Sequence, residues 1–310
     1  MKRATRESYG AALAEISKVN DKLFVLDADL AEATKTIMFK KACPERFIDC
    51  GIAEGNMIGV AAGLATCGAT VFASSFAMFA AGRAFEQIRN SVCYPKLNVK
   101  IGATHAGISV GEDGATHQCL EDIALMRSLP NMVIINPADD IEAMKAVAAA
   151  AEHEGPVYLR FGRLAVEDVN SEDYEFKLGK GVLLREGSDV TIIATGLPVA
   201  RSLKAAELLE AEGITARVVN IHTIKPIDRE IIIESAKKTG LIVTVEEHNV
   251  IGGLGSAVSE VLSEELPTKV CRVGINDTFG YSGPAEELLT RFGLDAEGIK
   301  TAVINALKTK

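Results

Sequence analysis

Val99-Lys100-Ile101, the span from Leu120 to Arg127, and Met132-Val133-Ile134-Ile135 read as strand, helix and strand. Between the first two lie His105-Ala106-Gly107-Ile108-Ser109 and then Gly111-Glu112-Asp113-Gly114-Ala115-Thr116-His117-Gln118. Met132-Val133-Ile134-Ile135, like most strand candidates along the chain, is an apolar run that does not alternate, which suits a parallel sheet covered on both faces. The loop after Val99-Lys100-Ile101 holds an acid pair, glycines and two imidazoles. Such a set can grip hydroxyl and phosphate groups and move protons near neutral pH. An ordinary polar turn uses the same residue types, because glycine beside Asp is routine turn chemistry.

Outward from this unit the alternation continues. Leu23-Phe24-Val25-Leu26 and Val71-Phe72-Ala73 read as strands, Glu54 to Thr66 as a Gly/Ala-rich helix, and Met78 to Val92 as a second helix. Asp139 to Ala151 reads as a helix and Val157-Tyr158-Leu159 as a strand. Residues 165–180 are polar, acidic and aperiodic, and a linker is expected there. The pattern then restarts, with strands at 190–194, 216–220, 241–246 and 269–273. Helices are expected at 199–212, 228–238, 255–265 and from Glu297 to Leu307. An α/β chain of two mainly parallel domains follows, with right-handed crossovers.

The bulk numbers agree with two domains. The chain has 310 residues, 48% hydrophobic and 24% charged, and a net charge of -9 without a basic tract. Nucleic acid is therefore not an expected partner. No apolar run is long enough to span a bilayer, and the first residues lack the apolar core of a secretory signal, so a cytoplasmic location is expected. The six cysteines (43, 50, 67, 93, 119 and 271) form no C-x-x-C pair and read as reduced thiols.

Further motifs each admit two readings. In Ile52-Ala53-Glu54-Gly55-Asn56-Met57-Ile58-Gly59-Val60-Ala61-Ala62-Gly63-Leu64-Ala65, one carboxylate opens an apolar helix. It either complements the helix dipole or, beside a smooth glycine face, holds a proton for a ring nitrogen. Phe76 and Phe79, with Arg83 beyond them, form an aromatic wall or a core stripe. Asp27 and Asp29 end the first strand as ligand groups or as helix caps. Gly252-Gly253-Leu254-Gly255 departs from dinucleotide spacing and comes late in the chain, so nucleotide binding is not expected there. Glu246-Glu247-His248 just before it is a candidate for a domain interface.

Together these segments resemble the C-terminal half of a transketolase. The resemblance covers essentially the whole chain: a pyrimidine-binding domain over residues 1–168 and a transketolase C-terminal domain over 180–310. It is carried by Asp27-Ala28-Asp29-Leu30, Ile52-Ala53-Glu54, Ser75-Phe76-Ala77-Met78-Phe79 and the segment from Gly111 to Gln118. It implies thiamine diphosphate as cofactor, with Glu54 hydrogen-bonded to a pyrimidine nitrogen and promoting the imino tautomer that removes the thiazolium proton. Phe76 and Phe79 are similar to the aromatic pocket for the pyrimidine, and Asp29 and Arg83 are its further candidates. Asp113 resembles the acid that reads a sugar hydroxyl, and His117 and His105 resemble the catalytic and substrate-binding imidazoles. Arg6 and Arg160 resemble ligands of the sugar's phosphate end, where guanidinium pairs phosphate oxygens bidentately.

Three departures qualify the match. Gly82 stands where the family commonly has a tyrosine. Ala33-Thr34 stands where a phosphate-binding serine is usual, leaving Thr34 as a substitute. No Gly-Asp-Gly occurs anywhere, so the implied diphosphate and Mg²⁺ ligands are missing. The expectation is a split enzyme in which this chain is the C-terminal subunit, self-associating as a dimer. An N-terminal partner subunit would hold Mg²⁺, and sugar phosphates would be the substrates. The alternatives are the β subunit of a 2-oxo acid dehydrogenase, a deoxyxylulose-phosphate synthase-like enzyme, and a non-catalytic module of the same fold.

Overall fold

Strands Thr223–Lys225, Val133–Ile135, Val157–Arg160, Val99–Thr104, Thr70–Phe76, Leu23–Asp27 and Phe47–Asp49 lie side by side in that order. The computed structural model that shows them describes residues 2–309. Met1 and Lys310, the outer limits of the two expected domains, lie outside the described residues. All neighbours in this sheet are parallel except Thr223–Lys225, which runs antiparallel beside Val133–Ile135. Both faces are covered, as the non-alternating apolar runs require. Leu23, Val25 and Phe72 pack with Tyr9, Leu13 and Phe39 on one side. Leu26, Val71, Ala73 and Ile101 pack with Met57, Ile58 and Ile88 on the other.

The second sheet has the order Lys269–Ile275, Leu241–Asn249, Val190–Ala194, Ala216–Asn220, Val182–Arg185, with the last strand antiparallel. Helices Pro198–Glu210, Arg229–Thr239, Leu254–Glu265 and Ala296–Leu307 flank it at the expected places. Helix Thr5–Ile16 was not visible in the sequence pattern. Its buried face (Thr5, Ser8, Tyr9, Ala12, Leu13) is half polar, and the Tyr9 hydroxyl reaches Ser74 at 2.6 Å.

Two expectations change. The expected helix from Met78 to Val92 is instead two wide-turn segments, Met78–Arg83 and Ile88–Cys93, about a short turn at Phe85–Gln87. Gly82 weakens the α-helical preference, and wide turns recur at functional sites; this one carries Phe79 and Arg83. The aperiodic span at 165–180 is tied down in places. Ala165–Glu167 pairs with Lys2–Ala4, and the Val169 and Asn170 N–H groups both donate to Asp139 Oδ2 at 2.8 Å. The Tyr174 hydroxyl donates to buried Glu142 at 2.8 Å.

The halves interlock. Besides the shared strand Thr223–Lys225, the Asn249 N–H donates to the Leu120 carbonyl at 2.7 Å, and Arg127 donates to the Gly252 carbonyl at 2.8 Å. The glycine-rich run is a close-packing device. A Cβ on Gly252 would stand 2.5 Å from Ala124 Cβ, and one on Gly253 2.0 Å from Glu246 Oε2. The Glu246 carboxylate accepts the N–H groups of Leu254 (2.6 Å) and Gly255 (2.8 Å), fixing the start of the following helix.

Candidate active site

Parallel strands deliver their following loops to one rim, where α/β sheets present ligand groups. Glu54 is the first residue of helix Glu54–Thr66 and is only 1% exposed. Its Oε2 accepts from Arg83 Nη1 at 2.9 Å, and its Oε1 lies 3.5 Å from the Ser75 hydroxyl at the end of the adjacent strand. The Arg83 guanidinium sits 4.6 Å above the Phe79 ring. Phe79 stacks on Phe76 (5.9 Å, 18°), and Phe76 stacks on the His105 ring at 3.8 Å. His117 stands edge-on to Phe79 at 5.2 Å, with its Nδ1 2.9 Å from the Thr116 hydroxyl. Glu54, Phe76, Phe79, Arg83, His105 and His117 thus form one wall, assembled from four separate stretches of chain.

His105 occupies the left-handed region (φ 56°) and is buried. Its Nε2 lies 2.9 Å from Arg6 Nη1 and its Nδ1 2.9 Å from the Thr104 hydroxyl. A guanidinium can only donate, so Nε2 accepts and Nδ1 carries the proton, which it donates to Thr104. Burial first, and then the Arg6 charge, push its pKa down to about 3. At neutral pH this imidazole is an uncharged hydrogen-bonding group. Arg6 also donates to the Ala33 carbonyl at 2.9 Å, and its buried Nε has no hydrogen-bond partner. Beside it, Arg163 approaches Glu112 at 3.3 Å and Asp113 at 3.8 Å. Arg6, Ser109, Glu112, Arg163 and Pro284 line a cavity of about 370 Å³.

Four expected residues lie elsewhere or are otherwise engaged. Arg160 is buried in the interior, where its Nε donates to Asp122 Oδ2 at 2.8 Å and its Nη2 to the Glu247 carbonyl at 3.0 Å. Having fixed partners there, it is not among the groups facing the cavity. Thr34 is fully buried and donates its hydroxyl proton to Asp27 Oδ2 at 2.7 Å, so it is not presented to a substrate. Asp27 also accepts from the Leu30 N–H (2.6 Å) and the Thr36 hydroxyl (2.8 Å), so it is tied into the turn before helix Ala31–Thr34 and is neither that helix's N-cap nor a free ligand group; burial pushes its pKa up to about 6 against those bonds. Asp29 is exposed, with φ 61° and its N–H bound to Asp49.

Arg163 was missed in the sequence. The signal was its place just past strand Val157–Arg160, in Arg160-Phe161-Gly162-Arg163, where the strand's last residue still points into the core.

The wall fits the pyrimidine end of thiamine diphosphate: a buried carboxylate at one edge and an aromatic stack beside it. Among the described residues, no group of three or more His, Cys, Asp and Glu is arranged to hold a metal ion.

Residues 1–168 match the family model for the transketolase pyrimidine binding domain, and residues 179–299 that for the transketolase C-terminal domain. A protein of Methanocaldococcus jannaschii named as a transketolase C-terminal section is 54% identical over 99% of this chain and 97% of its own length. The 6-deoxy-6-sulfo-D-fructose transketolase subunit SqwH of Clostridium sp. (strain MSTE9) is 45% identical over 98% and 95%. A solved split-gene transketolase, described as an inactive β4 tetramer, superposes with a TM-score of 0.92 at 59% identity and covers 98% of both chains. The chain belongs to the transketolase family, as a pyrimidine-binding domain joined to a transketolase C-terminal domain.

Proposed function

We propose that this chain is the C-terminal subunit of a two-chain, thiamine diphosphate-dependent transketolase that moves a two-carbon ketol unit between sugar phosphates. One observation carries the reading. The Glu54–Phe76–Phe79 wall and the Arg6–His105–Arg163 group share one rim, linked by the Phe76–His105 stack at 3.8 Å. An acid for a ring nitrogen is thereby set beside two guanidiniums suited to an anionic sugar end.

In this proposal the cofactor supplies the carbon–carbon chemistry. Glu54 holds a proton at the pyrimidine nitrogen, and Phe76 and Phe79 exclude water from the ring face. Neutral His105, its Nε2 accepting from Arg6 and its Nδ1 donating to Thr104, orients the Arg6 guanidinium for the sugar. Arg6 and Arg163 bind the terminal anion, and Asp113, beside Arg163, reads a hydroxyl. The arginines and Asp113 favour a polyhydroxylated anionic substrate over the 2-oxo acid of the dehydrogenase alternative.

The diphosphate and Mg²⁺ belong in the proposal to an N-terminal partner subunit. Relatives named as subunits and a split-gene relative support such a partner. Self-association as a dimer is also proposed: Gly59 and Gly63 are exposed on helix Glu54–Thr66, with open space where a Cβ would stand. That relative's tetramer supports self-association.

The test is a titration of the purified chain with thiamine diphosphate and Mg²⁺, then a ketose–aldose assay with and without the partner. Feeble cofactor binding and no turnover alone, with both restored together by the partner, is the expected result. Robust turnover by this chain alone would overturn the split-enzyme reading.

A further inference from the structure

The segment 105–118, which carries His105, Asp113 and His117, is gripped by the other half of the chain. Glu247 lies in strand Leu241–Asn249 of the second sheet and is 3% exposed. Its Oε1 accepts the Ser109 backbone N–H at 2.5 Å. Gly107, at φ +88°, lies directly on that carboxylate, and a Cβ there would stand 2.4 Å from Glu247 Oε1. The Glu247 carbonyl accepts from Arg160, which Asp122 holds at 2.8 Å. Near the segment's far end, Gln118 Nε2 donates to the Tyr281 carbonyl at 2.8 Å, and the Ser282 hydroxyl donates to the Glu112 carbonyl.

A buried carboxylate is a costly way to satisfy one backbone N–H, because its desolvation must be offset by nearby charge and hydrogen bonds. Here burial raises the Glu247 pKa and the Arg160 charge opposes that rise. What the arrangement achieves is a turn at 107–109 held in one position. His105 lies four residues before Ser109, and Asp113 four residues after it.

We propose that Glu247 is a positioning residue for ketol transfer. Its carboxylate fixes the 107–109 turn, and through it the placement of His105 against Arg6 and the reach of Asp113 toward the sugar. The inference rests on the function proposed above, and it assigns part of the active-site geometry to the C-terminal domain. Glu54 and its partners Arg83 and Ser75 lie outside the gripped segment, so the cofactor's activation should be independent of Glu247.

The test compares Glu247→Gln, which keeps an acceptor for Ser109, with Glu247→Met, which keeps length but offers none. Both are measured in the assembled two-subunit enzyme. Losing a hydrogen bond to a charged group should raise the ketose KM about tenfold or more in the Met variant. The Gln variant should show a clearly smaller rise, and the thiazolium C2–H/D exchange rate should be unchanged in both. Amide hydrogen exchange across 105–118 should accelerate in the Met variant. Gly107→Ala, which drives a methyl against the same carboxylate, should reproduce the KM rise independently.

A Met variant with wild-type KM and wild-type amide exchange would overturn the proposal. So would equal KM in the Met and Gln variants, or C2 exchange falling as KM rises. Wild-type turnover separately decides the parent reading: if the wild-type pair transfers no ketol unit, that reading fails. Amide exchange of the segment in the chain itself still decides whether Glu247 holds the turn.

Discussion

The Glu54 carboxylate and the Arg83 guanidinium form a lopsided ion pair at 2.9 Å, with one side chain 1% exposed and the other 53%. Arg83 engages Oε2, leaving Oε1 with a long contact to Ser75. Glu54→Gln preserves the shape and removes the proton-holding group. Thiazolium C2–H/D exchange in the assembled enzyme should fall by about 10²–10⁴-fold, the usual worth of a positioned acid or base. The melting temperature should change little, because Arg83 is half in water and loses little with its partner. Exchange at the wild-type rate, read by NMR, would remove Glu54 from the relay.

Arg160 and Arg163 stand three residues apart and should behave oppositely. Arg163→Ala should raise KM for phosphorylated ketoses and leave their unphosphorylated counterparts nearly unchanged, with normal stability. Arg160→Ala leaves Asp122 buried without its cation, and breaking such a pair costs about 3–5 kcal/mol. Denaturant unfolding of the two variants, run beside a donor panel, separates the roles. A donor-selective KM rise in a stable Arg160 variant would reverse the assignment.

The sequence shows why these two were confusable. Alternation of apolar strands with helices was legible because burial on both faces leaves a continuous apolar run. Helix Glu54–Thr66 was read to the residue. Thr5–Ile16 was not, since half of its buried face is polar and satisfied by contacts distant in sequence, such as Tyr9 with Ser74. Strand Thr223–Lys225 was equally invisible: it exists through pairing with a strand about ninety residues earlier. Glu54, Phe76, Phe79, His105 and His117 could be picked by residue type and order. Which arginine faces the cavity depends on where Val157–Arg160 stops, a boundary that periodicity leaves uncertain by a few residues.

Asp113 should act on substrate rather than on the cofactor. Its carboxylate is 41% exposed and loosely held by Arg163 at 3.8 Å, so Asp113→Ala should leave folding intact. Loss of one or two sugar hydrogen bonds should cost about 1–3 kcal/mol in kcat/KM. The loss should depend on the configuration of the hydroxyl read, so a panel of epimeric donors and acceptors is the measurement. A uniform loss across the panel would mark a structural role.

His222 should make the fold acid-labile. It is 1% exposed, packs on Phe176 at 4.4 Å and keeps Nδ1 2.9 Å from the Thr223 hydroxyl. Burial lowers its pKa from 6.5 to about 4. Above pH 6.5 both folded and unfolded chains hold it neutral, and it exerts no pH effect. Between 6.5 and about 4 the unfolded chain takes up a proton that the folded one refuses, so stability falls as pH falls, by up to about 3 kcal/mol. Buried Glu142 and Glu246, raised to about 7, act in the opposite direction: the folded chain binds their protons first, and stability rises as pH falls from 7 toward 4.5. The wild-type pH slope therefore mixes opposing groups, and the informative quantity is a difference. His222→Gln should be destabilising at pH 7.5 through lost packing, and that deficit should shrink steadily toward pH 5 because the variant has no proton to refuse. Unfolding free energies of both proteins from pH 7.5 to 5 check this. A deficit that stays constant across the range would mean that His222 titrates alike in the folded and unfolded chains.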